Sequence, residues 1–163
     1  MQTLVGLDPS VLRPAFSRFP SGVAAISAEV QDVPRGLVAS SFTVGVSLEP
    51  PLVLFAVQKS SETWPVLRQA SRLGISVLSQ NHGQVCRQIA SKSGDRFAGI
   101  NFHKSEGGAI LIPGSALWME CEIVSESEAG DHLVVVLEVK SVEDYPETEP
   151  LVFHGSTFRR LVS

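Results

Sequence analysis

Two periodicities run along this chain, and the shorter one dominates. Near the N-terminus Leu12, Ala15, Phe16 and Phe19 recur at helical spacing. Pro14 predicts that this helix starts late, near Leu12, and Pro20-Ser21-Gly22 ends it. Residues 23–30 then read as a strand, 31–36 as a turn, and 37–47 as a second strand bulged at Gly45. Residues 52–57 are almost wholly apolar, which predicts a central strand buried on both faces. Thr63 or Trp64, with Pro65 behind, predicts the start of a short helix carrying Val66 and Leu67.

Residues 74–78 form another apolar strand, and 81–91 a helix with Val85, Cys86, Ile89 and Ala90 on one stripe. Residues 97–114 are Gly-rich and irregular, which predicts a long loop. Leu117, Met119, Cys121 and Ile123 alternate with Trp118, Glu120 and Glu122, the mark of a half-buried strand. Ala129-Gly130-Asp131 turns the chain into a hairpin partner over 132–142, and short strands at 151–153 and 156–161 flank Gly155. Many strands with few short helices predict a mainly β barrel rather than a parallel α/β sheet.

Composition narrows the class. A chain of 163 residues with 44% hydrophobic and 18% charged residues is expected to be one folded domain, 1–163. The net charge is −4 and no Lys/Arg cluster stands out, so no nucleic-acid partner is expected. No apolar run approaches the roughly 18 residues that span a bilayer. Residues 1–7 show no basic segment ahead of an apolar one, so no signal peptide is expected. Cys86 and Cys121 lack metal or redox spacing and read as buried small hydrophobes, which fits a reducing cytoplasm. The low charge also hints at self-association.

Standard catalytic motifs are absent: no G-x-G-x-x-G after a strand, no P-loop, no H-E-x-x-H, no G-x-S-x-G. The four histidines are isolated in sequence, so no metal site is expected. Two hydroxyl-rich segments remain, Ser40-Ser41-Phe42-Thr43 and Lys59-Ser60-Ser61-Glu62-Thr63. The first is either a strand with small exposed residues or a backbone run edging a flat heterocycle. The second is either an ordinary capped helix start or a phosphate site. A lysine, three hydroxyls and a helix N-terminus within five residues favour phosphate.

The order Ala39-Ser40-Ser41-Phe42, then Val46-Ser47-Leu48-Glu49-Pro50-Pro51-Leu52-Val53, then Lys59-Ser60-Ser61-Glu62-Thr63-Trp64, resembles the flavin reductase family. Where the family form has one residue after Thr43, this chain has Val44-Gly45. The resemblance implies that Val38, Ala39, Ser40 and Ser41 lie along the flavin ring and ribityl chain. It implies that Lys59, Ser60, Ser61 and Thr63 hold the phosphate. Ala90-Ser91-Lys92-Ser93-Gly94-Asp95-Arg96-Phe97 resembles the segment after the family's central helix, which adds Ala90, Ser91, Lys92 and Arg96 to the flavin site. Read alone, those cations are equally a basic helix cap. Gly130-Asp131-His132 resembles a segment whose histidine lies near the nicotinamide; a lone histidine is otherwise structural or exposed. His154 and Phe158, in Phe153-His154-Gly155-Ser156-Thr157-Phe158, resemble the C-terminal strand near the cofactors.

By that resemblance the chain is expected to be an antiparallel split β-barrel, of the FMN-binding kind, with short flanking helices, six or seven strands and a homodimeric state. Its expected activity is NAD(P)H-dependent reduction of FMN, with FAD as the alternative flavin and either NADH or NADPH as donor. No catalytic acid or base is expected. The reduced flavin would pass to a partner monooxygenase. The competing readings are an FMN flavoprotein or electron carrier without reductase activity, and a heme-binding barrel of the same fold.

Overall fold

A two-residue turn creates the first hairpin. Gln31 and Asp32 both take positive φ, 53° and 63°, which matches the right-handed twist of the strands they join. The computed structural model describes residues 6–162; residues 1–5, most of the stretch read for a leader, lie outside that range, as does Ser163. The chain runs through α1 (Pro9–Phe16), β1 (Ser21–Gly22), β2 (Ala24–Val30), β3 (Val33–Ala39), β4 (Thr43–Leu48) and β5 (Pro51–Gln58). It continues through α2 (Trp64–Leu67), β6 (Leu73–Val77), α3 (Gly83–Ala90), β7 (His103–Lys104) and β8 (Ile110–Leu111). The long hairpin β9 (Leu117–Ala129) and β10 (His132–Asp144) precedes the short one, β11 (Val152–His154) and β12 (Thr157–Arg159).

Seven strands make one sheet in the order β3-β2-β6-β9-β10-β5-β4, with β3 and β4 at its edges. Every pairing in it is antiparallel. The sheet curls until β3 touches β5, giving the mainly β, antiparallel split-barrel architecture with short flanking helices. A separate three-stranded sheet, β1-β11-β12, sits beside it. Among the described residues no helix is long and apolar enough to cross a membrane.

Period-2 alternation divides β2 between two cores. Ala24, Ile26 and Ala28 face the barrel interior with Phe55, Trp64, Leu67 and Ile75. Val23 and Ala25 face outward onto Leu78, Cys86, Ile89 and Phe97. The outer layer holds α3 against the sheet, and α3 buries Cys86 and Ile89. Trp64 fills the barrel, edge-on to Phe55 at 5.3 Å. Its indole N–H donates to Glu126 Oε1 at 2.6 Å, and Arg68 pairs with the same carboxylate.

Several sequence expectations need correction. Helix α1 begins at Pro9, not near Leu12, because Asp8 caps it by accepting the Ser10 N–H at 2.8 Å. Pro14 lies inside that short helix, none of whose residues is fully buried. The turn is only Gln31-Asp32, and β3 already includes Pro34, which an edge strand tolerates. The expected strand over 37–47 is two strands, broken at Ser40-Ser41-Phe42 where the chain leaves one sheet edge for the other. The Gly45 bulge is present: φ is +69° and the register shifts between Thr43 and Ser47. β5 buries Val53, Phe55 and Val57 but leaves Leu52, Leu54 and Ala56 half-buried; β2 and β6 are the strands buried on both faces. The 97–114 loop contains the β7–β8 ladder and buries Ala109, Ile110 and Ile112.

Gly74 shows how closely that loop approaches the barrel. A Cβ at this position would stand 2.0 Å from the Ile110 carbonyl oxygen. The obstacle is backbone, so it cannot swing aside. Gly74→Ala is expected to destabilise the fold by about 3 kcal/mol or more, read as a lower urea midpoint with an unchanged m-value. An unaltered midpoint would mean the loop is free to move off the sheet.

Candidate functional site

Edge strand β3 is the spine of the candidate site. Along its C-terminal half lies an apolar slot of about 240 Å³. Val23, Val38 and Ser40 line one side, and Arg87 and Ala90 of α3 and Phe158 of β12 the other. Phe158 packs on Phe153 with ring centroids 5.7 Å apart, and the Arg87 guanidinium stands 5.4 Å from the Phe158 ring centroid. Cys86 also borders the slot; burial pushes its thiol pKa up, which keeps it protonated and unreactive.

Along the N-terminal half lies a groove of about 440 Å³. Arg35 and Gly36 form its wall, Thr63 and Val66 one flank, and Arg96 and Phe97 the other. Arg96 donates to the Gly36 carbonyl at 3.0 Å, which fixes its guanidinium over the strand. Gly36 is required by packing: a Cβ would meet Ser27 Oγ at 2.7 Å and the Phe97 ring at 2.8 Å. Beneath it the Ser27 hydroxyl, fully buried, has no hydrogen-bond partner.

The structure thus unites some residues singled out from sequence and separates others. Val38, Ser40, Ala90 and Phe158 share the slot; Thr63 and Arg96 share the adjoining groove. The Ala39 side chain is buried in the barrel, which leaves its backbone alone for a ligand. The Ser41 hydroxyl both donates to and accepts from the Ala56 backbone, each at 3.0 Å. Lys59 and Ser61 border a different hollow of about 300 Å³, with Trp64, Arg68 and Glu126. There Ser61 accepts the Trp64 N–H, Ser60 donates to Gln58, and Lys59 pairs with the exposed Glu128 at 3.5 Å. Helix α2 has only four residues, so the helix dipole invoked for a phosphate is small here. Lys92 is exposed, and the Ser91 hydroxyl is engaged with the Ser93 backbone.

His132 opens β10 and pairs in register with Gln58, while the Lys59 N–H donates to the Asp131 carbonyl at 2.9 Å. The expected nicotinamide histidine and phosphate lysine are therefore neighbours. His132 Nδ1 is 2.7 Å from Asp131 Oδ1, and this contact holds the Asp131 carboxyl below its usual pKa. His154 is half-buried and does not share the slot with Phe158: it is one residue on from Phe153, whose ring pairs with Phe158, so it lies on the opposite face.

Sequence reading missed Arg35, Arg87 and Phe97. Arg35 was hidden because Pro34-Arg35-Gly36 reads as a turn. Arg87 had a usable signal, since it lies three residues before Ala90 and so on the same helix face.

Comparison with known proteins follows this geometry. The fold is that of the solved NADH:FAD oxidoreductase SgcE6 of Streptomyces globisporus C-1027 in complex with NAD and FAD fragments: the TM-score is 0.91 at 36% identity, covering 99% of this chain and 98% of that one. The flavin reductase like domain family model matches residues 16–162, and the chain belongs to that family. It is 36% identical over 149 residues to a flavin reductase of Pseudomonas putida, covering 91% of this chain and 87% of that protein. It is also 36% identical over 154 residues to the reductase subunit HsaB of a flavin-dependent monooxygenase from Mycobacterium tuberculosis, covering 93% and 82% respectively.

Because the Ser41 hydroxyl joins the end of β3 to β5, its loss should be felt in stability first. Ser41→Ala leaves the Ala56 N–H and carbonyl without that partner and is expected to cost about 1–2 kcal/mol in chemical denaturation. Flavin affinity extrapolated to the folded protein should hold, since the backbone at Ser41 is retained. A large affinity loss with no change in stability would reassign the hydroxyl to the ligand.

Proposed function

We propose that this chain, one domain throughout, is an NAD(P)H-dependent flavin reductase that supplies reduced flavin to a partner monooxygenase. The observation that carries this reading is one free strand edge flanked first by an apolar slot and then by a polar groove bordered by Arg35 and Arg96. That succession matches a flat heterocycle joined to a phosphate. Membership of the family and the likeness to reductases supplying monooxygenases support it.

The donor set fits a flavin. Val23, Val38 and Phe158 offer flat apolar surface, and the outer edge of β3 offers N–H and C=O groups for the ring's polar rim. Arg96 and Thr63 offer charged and neutral donors to the phosphate. Lys59 and Ser61, one hollow away, would complete the phosphate shell by leaving weak surface contacts. Flavin and nicotinamide, when bound, would themselves supply the chemistry, hydride transfer between the two rings. The chain's part is positional. The apolar walls of the slot would shed water from a bound ring, Phe158 and Arg87 bound the space above α3, and the edge of β3 would hold the ring. His132, on the Asp131 carboxylate, is the contact for the nicotinamide nucleotide. His154 would serve the same nucleotide from the other face of its hairpin. Neither is asked to move a proton.

A second copy of the chain completes the assembly in this reading. On edge strand β4, Val44, Val46 and Leu48 are exposed, Leu48 at 87%, and a homodimer would cover them.

NADH added anaerobically to the protein and FMN should bleach the flavin absorbance; flavin that stays oxidised with both nicotinamides would overturn the reductase reading. Thr63→Ala should weaken FMN roughly tenfold and leave riboflavin unchanged, because a hydrogen bond to a charged group is worth about 1.5–3 kcal/mol. Equal losses would remove Thr63 from the phosphate site. His132→Ala should raise KM for NADH while kcat, flavin affinity and Tm barely move. A drop in kcat of about 10² or more would instead identify a proton donor.

A further inference from the structure

His82 is the one buried histidine, 8% exposed, and it stands at the turn that leads from β6 into α3. Both of its ring nitrogens are engaged. Nδ1 lies 3.0 Å from the Ser79 backbone nitrogen and 3.2 Å from the Ser79 hydroxyl, and Nε2 lies 3.0 Å from the Pro113 carbonyl oxygen. These partners fix the tautomer. A backbone N–H only donates and a carbonyl only accepts, so Nδ1 is bare and Nε2 carries the hydrogen. The neutral ring thus joins two segments. One is the Ser79–His82 turn, closed by the His82 N–H on the Ser79 carbonyl at 2.9 Å, from which α3 starts as the Cys86 N–H donates to the His82 carbonyl at 2.8 Å. The other is the end of the 97–114 loop. Both reach the candidate site: α3 carries Arg87 and Ala90 to the slot, and the loop begins with Phe97 on the groove.

We infer that His82 is a pH-sensitive positioning residue for the slot: neutral, it fastens the start of α3 to the Pro113 segment, and protonated, it loosens α3. A second proton has only Nδ1 to occupy, and Nδ1–H would meet the Ser79 N–H, donor against donor. One of the two must turn away, and at a residue as buried as Ser79 an unpaired N–H is costly. No neighbouring charge compensates. The hollow beside the ring is lined by the neutral carboxamides of Asn81, Gln84, Gln88 and Asn101. On α3, Cys86 is held as a neutral thiol and Arg87 lies against the Phe158 ring. On the segment bridged to Ser79, Glu149 is exposed and meets the turn through its carbonyl, which accepts the Gln80 N–H. Residues 99–101 and 112–115 carry no titratable side chain. Burial lowers the His82 pKa from the ordinary imidazole value of about 6.5, and the Pro113 carbonyl offsets this only in part. Between the two values the unfolded chain binds more protons than the folded one. The clasp therefore contributes fully above the ordinary value and is lost as pH falls through the lowered one.

Hydrogen exchange on the unaltered protein reads the clasp with no ligand present. From about pH 7.5 to about pH 5, after correction for intrinsic exchange, protection of the Ser79 amide and of α3 should fall about tenfold relative to the β9–β10 hairpin. Only the choice of a flavin probe rests on the flavin reductase reading. Riboflavin serves, because it lacks the phosphate that itself titrates at about pH 6. Its affinity should weaken about tenfold over the same range, the equivalent of one lost hydrogen bond, and in His82→Gln it should be flat with pH. Protection that follows the hairpin at every pH overturns the proposal. So does a His82→Gln variant whose riboflavin affinity still falls in acid as the unaltered protein's does, or an α3 that loosens while riboflavin affinity stays constant. A protein that binds no riboflavin at any pH fails the flavin reading, and hydrogen exchange alone then decides the clasp.

Discussion

An edge strand cannot satisfy its own backbone, and this fold is organised around that fact. β3 has β2 hydrogen-bonded on one side and no strand hydrogen-bonded on the other. Its outward N–H and C=O groups must meet water, another chain or a ligand. Pro34, which has no N–H, and the charged Arg35 make the strand a poor template for another β-strand. The layers around it leave room for something smaller. α3 and β12 approach one half of the edge; α2 and the turn at Asp95-Arg96-Phe97 approach the other. Because β3 has its Cβ atoms on alternate faces, both sides of the sheet contribute walls to the two cavities along it.

Holding that edge open takes specific contacts. The chain passes from β3 directly to the opposite edge of the sheet, and Ser41 bridges the gap by engaging both backbone groups of Ala56. On the flank, α2 is too short to be stable alone. It is fixed instead by Trp64, inserted beside Phe55, and by the Glu126 carboxylate shared between the indole N–H and Arg68. Arg68 is half exposed, so its pairing is at the weak end for charged contacts; burial of Trp64 is the larger contribution. Thr63 and Val66 therefore reach the groove from an element whose position is set by the barrel core.

Much of the fold was legible because alternation is a local signal. The hairpin from Met119 through His132, the Gly45 bulge and the two C-terminal strands all follow from apolar spacing and turn residues. What failed was local ambiguity. Pro34 and Gly36 disguise a strand as a turn, since nothing in the sequence shows that this strand is an edge. Two-residue strands such as β7 and β8 are too short for any periodic signal. At the site, residue types point to phosphate and ring chemistry, but which hydroxyls remain free depends on tertiary contacts. Ser41 and Ser61 look alike in sequence to ligand donors, yet one clasps a strand and the other caps a helix. Arg35 shows the reverse: its surroundings come from residues about 30 and 60 positions away, so no short motif could reveal it.

The chemistry of the slot follows from what its walls can and cannot exchange. Cys86 is held as a neutral thiol by burial, and in the barrel Cys121 is pushed up to about 12 by the same cause. Arg87 lies against the Phe158 ring and offers donors only. Among the described residues that line the slot, then, no side chain is suited to trade a proton near neutrality. A reaction in the slot would draw on orientation and not on a proton held by these side chains. Orientation requires that the ligand be held along its whole length, since a ring gripped only by apolar walls can slide. The polar groove on the same strand, with Thr63 and Arg96, would supply the second fixed point. Slot and groove share β3 as a common wall, so the distance between them is set by strand geometry and not by a flexible loop.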